Sequence, residues 1–410
     1  MILNYIWVSF FLLAFITAVV KLIFFQDTSV FPAMLNSTFD MAKTGFELSL
    51  YLTGVMSLWL GIMKIGEKSG IVSILAKAVG PFFSKLFPQI PTQHPATGSI
   101  IMNFSANILG LDNAATPLGL KAMKEMQELN PDKDTASDAQ IMFLALNTSG
   151  FTVIPLAIIL DRSILGAANP TDIFIPTLLA TSISSLAALI IVSLYQGIDL
   201  LNRVVLGYLL AFGAFVGGVV YYFSSLSQAQ LEAQSNLISS LIIVSVIISF
   251  LVLGLIKKIP LFETFIEGAK EGFETSIKII PYLIAILVAI GMFRSSGTLD
   301  YLTQGIAWMV MTAGFNSDFV DALPVALLKP LSGGAAKGMM IETIKTYGPD
   351  SFTGRLASIF RGCTETTFYI LAVYFGSVNI RKTRYALTVG LLADLVGVAA
   401  GIWVAYLFFH

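Results

Sequence analysis

The sequence predicts an all-α polytopic membrane protein built from two inverted repeats, and three observations carry that prediction. Of 410 residues, 56% are hydrophobic and 12% charged, whereas soluble domains carry about 25% charged residues. The runs 204–223 and 237–256 contain no Asp, Glu, Lys or Arg, and about 20 such residues suffice for one helical crossing of a bilayer. The stretch Ala42-Lys43-Thr44-Gly45-Phe46-Glu47 returns 227 positions later as Ala269-Lys270-Glu271-Gly272-Phe273-Glu274, in a register that holds without a gap to Gly70 and Gly297. Two copies of one unit in a bilayer create a site that opens from either side, which is the plan of a transporter. The plainer alternative is an old duplication that only stabilises a bundle.

Composition also removes several classes of function. Formal net charge is -1 and no basic tract stands out, so nucleic acid is not an expected partner. The single cysteine, Cys363, leaves no intrachain disulfide, and the two histidines, His94 and His410, lack the spacing of a metal site. There is no phosphate-binding loop of the P-loop type, no Ser-His-Asp or Cys-His set, and no implied cofactor.

Crossings are expected at 2–25, 46–65, 139–160, 173–195, 204–223, 237–256, 279–293, 352–375 and 385–407. The first lacks a basic start and a small-residue cleavage site, so it is expected to be retained as a helix and not removed as a signal peptide. Residues 31–43 and 261–278 mix apolar and charged positions at helical spacing, as interfacial helices do, and 71–87 and 298–313 look similar. Residues 95–129 and 322–347 are apolar, then dense in Gly, Asn, Ser and Pro, then helical with charges. Such segments suit re-entrant helical hairpins, tolerated at membrane depth where protein or a water-filled cavity satisfies the freed backbone; two tilted crossings are the alternative.

Each repeat therefore has about five helical elements, joined by one linking helix at 204–223. With the N-terminus inside and one hairpin entering from each face, 15 of the 24 Lys and Arg fall on the cytoplasmic side, a moderate bias in the expected direction. The linking helix reverses the second copy, which makes the repeats inverted.

The chemistry is expected in the hairpins and in the crossings that follow them. In the first hairpin, Asn103 and Asn107 are four apart and share a helix face. Asp112 or Asn113 either caps the next helix or meets a ligand there, with Thr116 beside them and Pro117 in or near the first turn. The second hairpin offers Ser332, Gly333, Gly334 and Lys337, and Gly338 matches Gly119 at an offset of 219. The small residues allow close approach of a helix or a substrate.

Polar interruptions follow at Asn147-Thr148-Ser149-Gly150-Phe151-Thr152, ahead of Pro155, and at Arg361-Gly362-Cys363-Thr364-Glu365-Thr366-Thr367, suggesting unwound helices. Arg361 and Glu365, four apart in one span, either form a mutual salt bridge or serve a ligand. In the second case Arg361 would bind a carboxylate or phosphate bidentately and Glu365 would take a proton or an amine. The expected substrate contacts are thus Asn103, Asn107, Asn113, Thr116, Asn147, Thr148, Ser149, Ser332, Lys337, Arg361, Thr364 and Glu365. Asp112 and Glu365 are the candidates for a coupling proton.

The run Asn103 to Lys124, NFSANILGLDNAATPLGLKAMK, resembles spore maturation protein A. Leu328 to Glu342 together with Arg361-Gly362-Cys363-Thr364-Glu365-Thr366-Thr367-Phe368-Tyr369 resembles spore maturation protein B. The resemblance implies an A-like repeat at 1–200, a linker at 201–235 and a B-like repeat at 236–410, in the family of nucleoside-recognition or gate-domain membrane proteins. It further implies a multi-pass protein of the bacterial inner membrane whose separate relatives act in spore maturation and work as one complex.

The expected function is secondary active transport of a small polar organic solute, anionic or zwitterionic, such as a dicarboxylate or amino acid. A proton or sodium ion would drive it by alternating access at a midplane site. A non-transporting assembly protein of envelope or spore maturation, a nucleoside carrier and an enzyme acting on lipid-linked substrates are the alternatives. Substrate, coupling ion and bilayer are the expected partners, with a homo-oligomer left open.

Overall fold

Apolar stretches of this length satisfy their own backbone only as helices, and a computed structural model of the chain shows no strand among the described residues. These are 2–91, 93–108, 112–153, 155–226 and 228–410, and some side chains within helices, Asp112 and Asn113 among them, lie outside the description. The first half contains α1 (Ile2–Phe25), α2 (Val30–Ser69), α3 (Ile71–Leu86), α4 (Pro95–Ile108), α5 (Asp112–Leu129), α6 (Asp138–Thr148), α7 (Leu156–Ile164) and α8 (Phe174–Gln196). A linking helix, α9 (Arg203–Ser224), follows. The second half repeats the order with α10 (Gln228–Ile256), α11 (Leu261–Ser295), α12 (Thr298–Thr312), α13 (Leu323–Leu328), α14 (Gly333–Tyr347), α15 (Phe352–Gly362), α16 (Thr367–Ser377) and α17 (Ala386–Phe409). A single 3-10 turn, Val320–Ala322, precedes α13.

Among the described residues, four helical stretches are long and apolar enough to cross a membrane: Trp7–Phe25, Phe174–Gln196, Arg203–Phe223 and Ala386–Phe409. Ser240–Ile256 and Ile284–Ser295 are shorter apolar stretches. The expected crossings 139–160 and 352–375 are each broken, into α6 and α7 and into α15 and α16. Both hairpins are present as α4–α5 and α13–α14. At about 1.5 Å per residue, the 14-residue α4 and the 6-residue α13 are too short to cross alone.

One expectation is corrected. Residues 31–43 and 261–278 are not separate helices lying ahead of a crossing; each continues into it as the 40-residue α2 and the 35-residue α11. Nothing at the expected junctions stops a helix, because Gly45 is a lone glycine and α11 runs through Pro281. Helix α5 is described from Asp112, which puts Pro117 in the second turn of the described helix, near its first.

The repeat is visible in backbone and packing alike. Gly70 and Gly297, 227 apart, both adopt left-handed conformations, with φ of 82° and 83°, directly before α3 and α12. Only glycine enters that region without strain. A Cβ on Gly45 would stand 2.9 Å from Cγ1 of Ile284, and a Cβ on Gly272 would stand 2.5 Å from the carbonyl oxygen of Met56 and 2.8 Å from Cα of Ser57. At the offset of 227, Gly272 is the counterpart of Gly45, and Ile284 that of Ser57. The contact is reciprocal, which is the signature of a two-fold relation. If α2 and α11 were parallel, one contact would require a shift of twelve residues one way and its partner the same shift the other way. Only antiparallel helices satisfy both, so α2 and its copy run in opposite directions and the repeats are inverted.

By contacts the chain forms two compact units, each drawing on both halves. One comprises Met1–Gly61, Leu160–Pro170 and Ile266–Arg361; the other comprises Ile62–Ile159, Thr171–Phe265 and Gly362–His410. In the first unit, Trp7 Nε1 donates to Ala285 O at 2.9 Å and the hydroxyls of Thr298 and Thr17 meet at 2.9 Å. In the second, Phe83, Phe104, Phe143 and Tyr374 form a chain of ring contacts with centroids 4.7, 5.7 and 5.6 Å apart. That chain joins α3, α4 and α6 to α16 of the other half.

The glycine contact predicts that Gly272→Ala lowers stability by about 1–3 kcal/mol, as overpacking does. Gly54→Ala, on the same α2 but with no atom within 4 Å of its added Cβ, leaves it unchanged or raises it. Thermal unfolding in detergent checks both.

Candidate functional site

Where a helix breaks in apolar surroundings, its freed N–H and C=O groups need new partners, and in the second unit the two breaks supply them to each other. Glu365 N, in the gap between α15 and α16, donates to Thr148 O at the end of α6 at 2.9 Å. Gly150 follows in a left-handed turn, φ 65°, with its open side against Cγ and N of Glu365. Thr181 of α8 donates to Gly150 O at 2.9 Å, and Val153 N donates to Ile108 O at the end of α4 at 2.9 Å. The break in one half is thus closed by the break in the other and by the first hairpin.

Amides extend this centre into the first hairpin. Asn107 Nδ2 donates to Asn147 Oδ1 at 2.9 Å and to Asn103 Oδ1 at 3.3 Å. Asn103 Nδ2 donates to Ala115 O at 2.7 Å, joining α4 to α5, and Asn147 Nδ2 donates to Phe143 O at 2.8 Å. Asn103, Asn147, Thr148, Ser149 and Thr364 are buried, while Asn107, Thr116 and Glu365 are half-buried. Gly119 lies directly against Tyr374 of α16, so its lack of a side chain serves helix packing.

Asn103, Asn107, Asn147, Thr148, Ser149, Thr364 and Glu365 are therefore brought into one region of one unit. Asn113 and Asp112 lie outside the described side chains.

Ser332, Lys337 and Arg361 belong to the other unit. There Ser332 caps α14, accepting from Ala335 N at 3.2 Å. Lys337 Nζ stands 2.8 Å from Asp161 Oδ1 of α7, with the two side chains 16% and 5% exposed, so this lysine is held by an acid from the opposite half. The neighbouring Arg162, fully buried, donates to Pro349 O at 2.6 Å and to Asp350 Oδ1 at 3.3 Å. Gly338, the counterpart of Gly119, faces Ile286. Arg361 and Glu365 do not share a helix face, since α15 ends at Gly362 and α16 starts at Thr367; the four non-helical residues remove the i, i+4 geometry.

Sequence reasoning passed over Asp161, Thr181, Ser184 and Asp394, and named Thr367 only as part of the polar interruption. Asp394, 4% exposed, accepts from Thr367 Oγ1 at 2.7 Å, and Ser184 Oγ donates to Ala393 O at 3.0 Å. A lone acid in an otherwise apolar crossing was the available signal.

At the end of this unit, the 130–137 and 378–385 loops are tied together. Ala136 N donates to Lys382 O and Arg381 N to Asp134 O, both at 2.9 Å. Asp138 pairs with Arg384 at 2.8 Å and accepts from Tyr385 Oη at 2.8 Å. Burial, then the bond to Asp138, pushes the Tyr385 phenol up to about 12, so it stays a neutral donor.

An all-α chain with a two-fold repeat, paired helix breaks and several apolar crossings is a multi-pass membrane protein of the kind built around broken helices. Its sequence matches the Gate family, described as nucleoside recognition, over residues 49–162 and 276–381, more than half of the chain. The chain belongs to that family. It is 49% identical over 174 residues to spore maturation protein B of Bacillus subtilis (strain 168), covering 42% of this chain and 96% of that protein. It is 44% identical over 188 residues to spore maturation protein A of the same organism, covering 46% of this chain and 92% of that protein. Two relatives that each account for less than half of the chain are consistent with a fusion. No solved structure matches.

Two variants test these contacts. Gly150→Ala, forcing an alanine into a left-handed turn, is expected to destabilise by about 1–2 kcal/mol from backbone strain alone, measured by thermal unfolding. Lys337→Met leaves Asp161 buried without its cation and is expected to cost about 3–5 kcal/mol. The double change Lys337→Met with Asp161→Asn recovers most of that loss in the same assay.

Proposed function

We propose that this protein is a secondary active transporter of a small polar organic solute, anionic or zwitterionic, working by alternating access in the bacterial inner membrane. The observation that carries this is the meeting of the two helix breaks, Thr148 O with Glu365 N at 2.9 Å, lined by amides and hydroxyls from both halves. Broken helices at a repeat interface present free backbone dipoles to a solute without lipid exposure, and an inverted pair can open to either face. Asn103, Asn107, Asn147, Thr148, Ser149, Thr364 and Glu365 would form the substrate surface in one unit. Asn113 and Thr116 would add to that surface from the start of α5, and Ser332, Lys337 and Arg361 are candidate solute contacts of the other unit taken by itself. Asp112 and Glu365 supply acids for a coupling proton.

A purely structural role is the second possibility, favoured by how completely Asn103, Asn107 and Asn147 satisfy one another. The Gate family description, nucleoside recognition, keeps a nucleoside carrier in view. The nucleophile–base sets of hydrolases are lacking in the sequence, which supports a carrier over an enzyme.

Purified protein should gain thermal stability with one class among amino acids, dicarboxylates, nucleosides and polyamines, since a ligand that binds only the native state stabilises it. Reconstituted protein should then accumulate that solute under a proton or sodium gradient. Glu365→Gln should fold normally and lose gradient-driven uptake; unchanged uptake would remove Glu365 from the mechanism, and no response to any class would favour the structural role.

A further inference from the structure

Asp394 sits near the middle of α17, whose other 23 residues carry no charge, and it is 4% exposed. A carboxyl at that depth is unfavourable, and helices that keep one generally use it to carry or relay a cation. Its surroundings are built from both halves. Thr367 Oγ1 donates to Asp394 Oδ2 at 2.7 Å. Gly390 and Gly397, four residues before and three after, lie on the same face of α17.

A Cβ on Gly390 would stand 2.7 Å from Cγ2 of Thr367 and 3.5 Å from Oγ1 of Thr148. One on Gly397 would stand 2.5 Å from Cγ2 of Thr364 and 3.1 Å from Oγ of Ser184. The two missing side chains therefore admit Thr148, Thr364, Thr367 and Ser184 to the strip of α17 that carries the acid. Thr148 and Thr364 are the residues at the junction of the two breaks, so the carboxyl lies beside the point where the halves join.

Carboxylate and hydroxyl oxygens are hard donors, suited to a proton or a small hard cation and not to a soft metal. Helices α6, α8, α10 and α16 pack against α17. Their titratable residues are Asp138 on α6, Tyr195 on α8, Glu232 on α10 and Tyr369 and Tyr374 on α16, with Tyr406 on α17 itself and Glu365 next to Thr364 in the break.

We propose that Asp394 and the hydroxyl of Thr367, with Thr148 and Ser184 around them, form the site of the coupling cation, a proton or a sodium ion. This rests on the transporter reading but is tested without a solute. In purified full-length protein, replacing choline chloride with sodium chloride at constant ionic strength should raise the thermal midpoint if the cation is sodium. If it is a proton, infrared difference spectra between alkaline and acidic buffer should show the carbonyl band of one protonated buried carboxyl.

Whichever signal the wild type gives is expected to disappear in Asp394→Asn, weaken in Thr367→Val, and persist in Glu232→Gln on α10. Thr367→Val keeps the carboxyl and serves if Asp394→Asn fails to fold. A signal unchanged in Asp394→Asn, or no signal from either cation in the wild type, overturns the site. Uptake that persists alongside such a result leaves the transporter standing, whereas a cation signal lost in Asp394→Asn with no uptake of any solute overturns the transporter and keeps the site.

Discussion

The backbone bond between Glu365 N and Thr148 O is the constraint on which the centre of the molecule depends. A helix interrupted among apolar side chains leaves donors and acceptors that neither lipid nor hydrocarbon can satisfy. Two interruptions placed together satisfy one another and need no water to do so. Gly150 follows from that choice, because its open side faces the backbone of Glu365, and Gly390 and Gly397 leave room on α17 for the side chains of Thr148, Ser184, Thr364 and Thr367. The hydroxyls of Thr148, Thr181, Ser184 and Thr367 follow as well, each tying a freed or neighbouring carbonyl or carboxyl back into the assembly.

Exchange between halves is the second theme. Neither compact unit is made from one half alone: α16 completes a unit that holds α3 to α6, and the end of α7 completes a unit that holds α12 to α15. In each, the helix beyond a break meets the second helix of a hairpin from the other half. Tyr374 of α16 covers Gly119 of α5, and Asp161 of α7 holds Lys337 of α14. The helix beyond the break thus meets its hairpin through a tyrosine against a glycine in one unit and through an ion pair in the other. A buried pair is a poor source of net stability but strongly disfavours loss of either partner, which binds the halves to each other by specificity more than by strength.

The polar residues divide by what they do for the fold. Ser332 and the Ser137–Gln140 capping box satisfy helix starts, Arg162 closes a loop through Pro349 and Asp350, and the asparagines bridge α4, α5 and α6. The caps satisfy backbone groups locally, whereas the bonds of Arg162 and the asparagines also join side chains far apart in the chain. The acids Glu365 and Asp394 both stand at the start of α16, Glu365 in the break just before it and Asp394 accepting from Thr367, its first residue.

The sequence by itself determined the class of fold, the repeat, the hairpins and the broken crossings, because hydropathy, residue spacing and helix-breaking composition are local properties. It also located the asparagine run, since amides in an apolar segment have few uses other than bonding one another or a ligand. It misjudged Arg361 and Glu365 as neighbours on a helix face, where the break it had itself marked removes that geometry, and it overlooked Asp394 within the crossing expected at 385–407. Only the tertiary structure decided that Lys337 is held by Asp161, that Thr367 meets Asp394, and that each unit takes a helix from the other half. The separations of those pairs along the chain are set by how α7, α14, α16 and α17 pack, and packing between distant segments depends on the shapes of whole faces, which no run of consecutive residues displays.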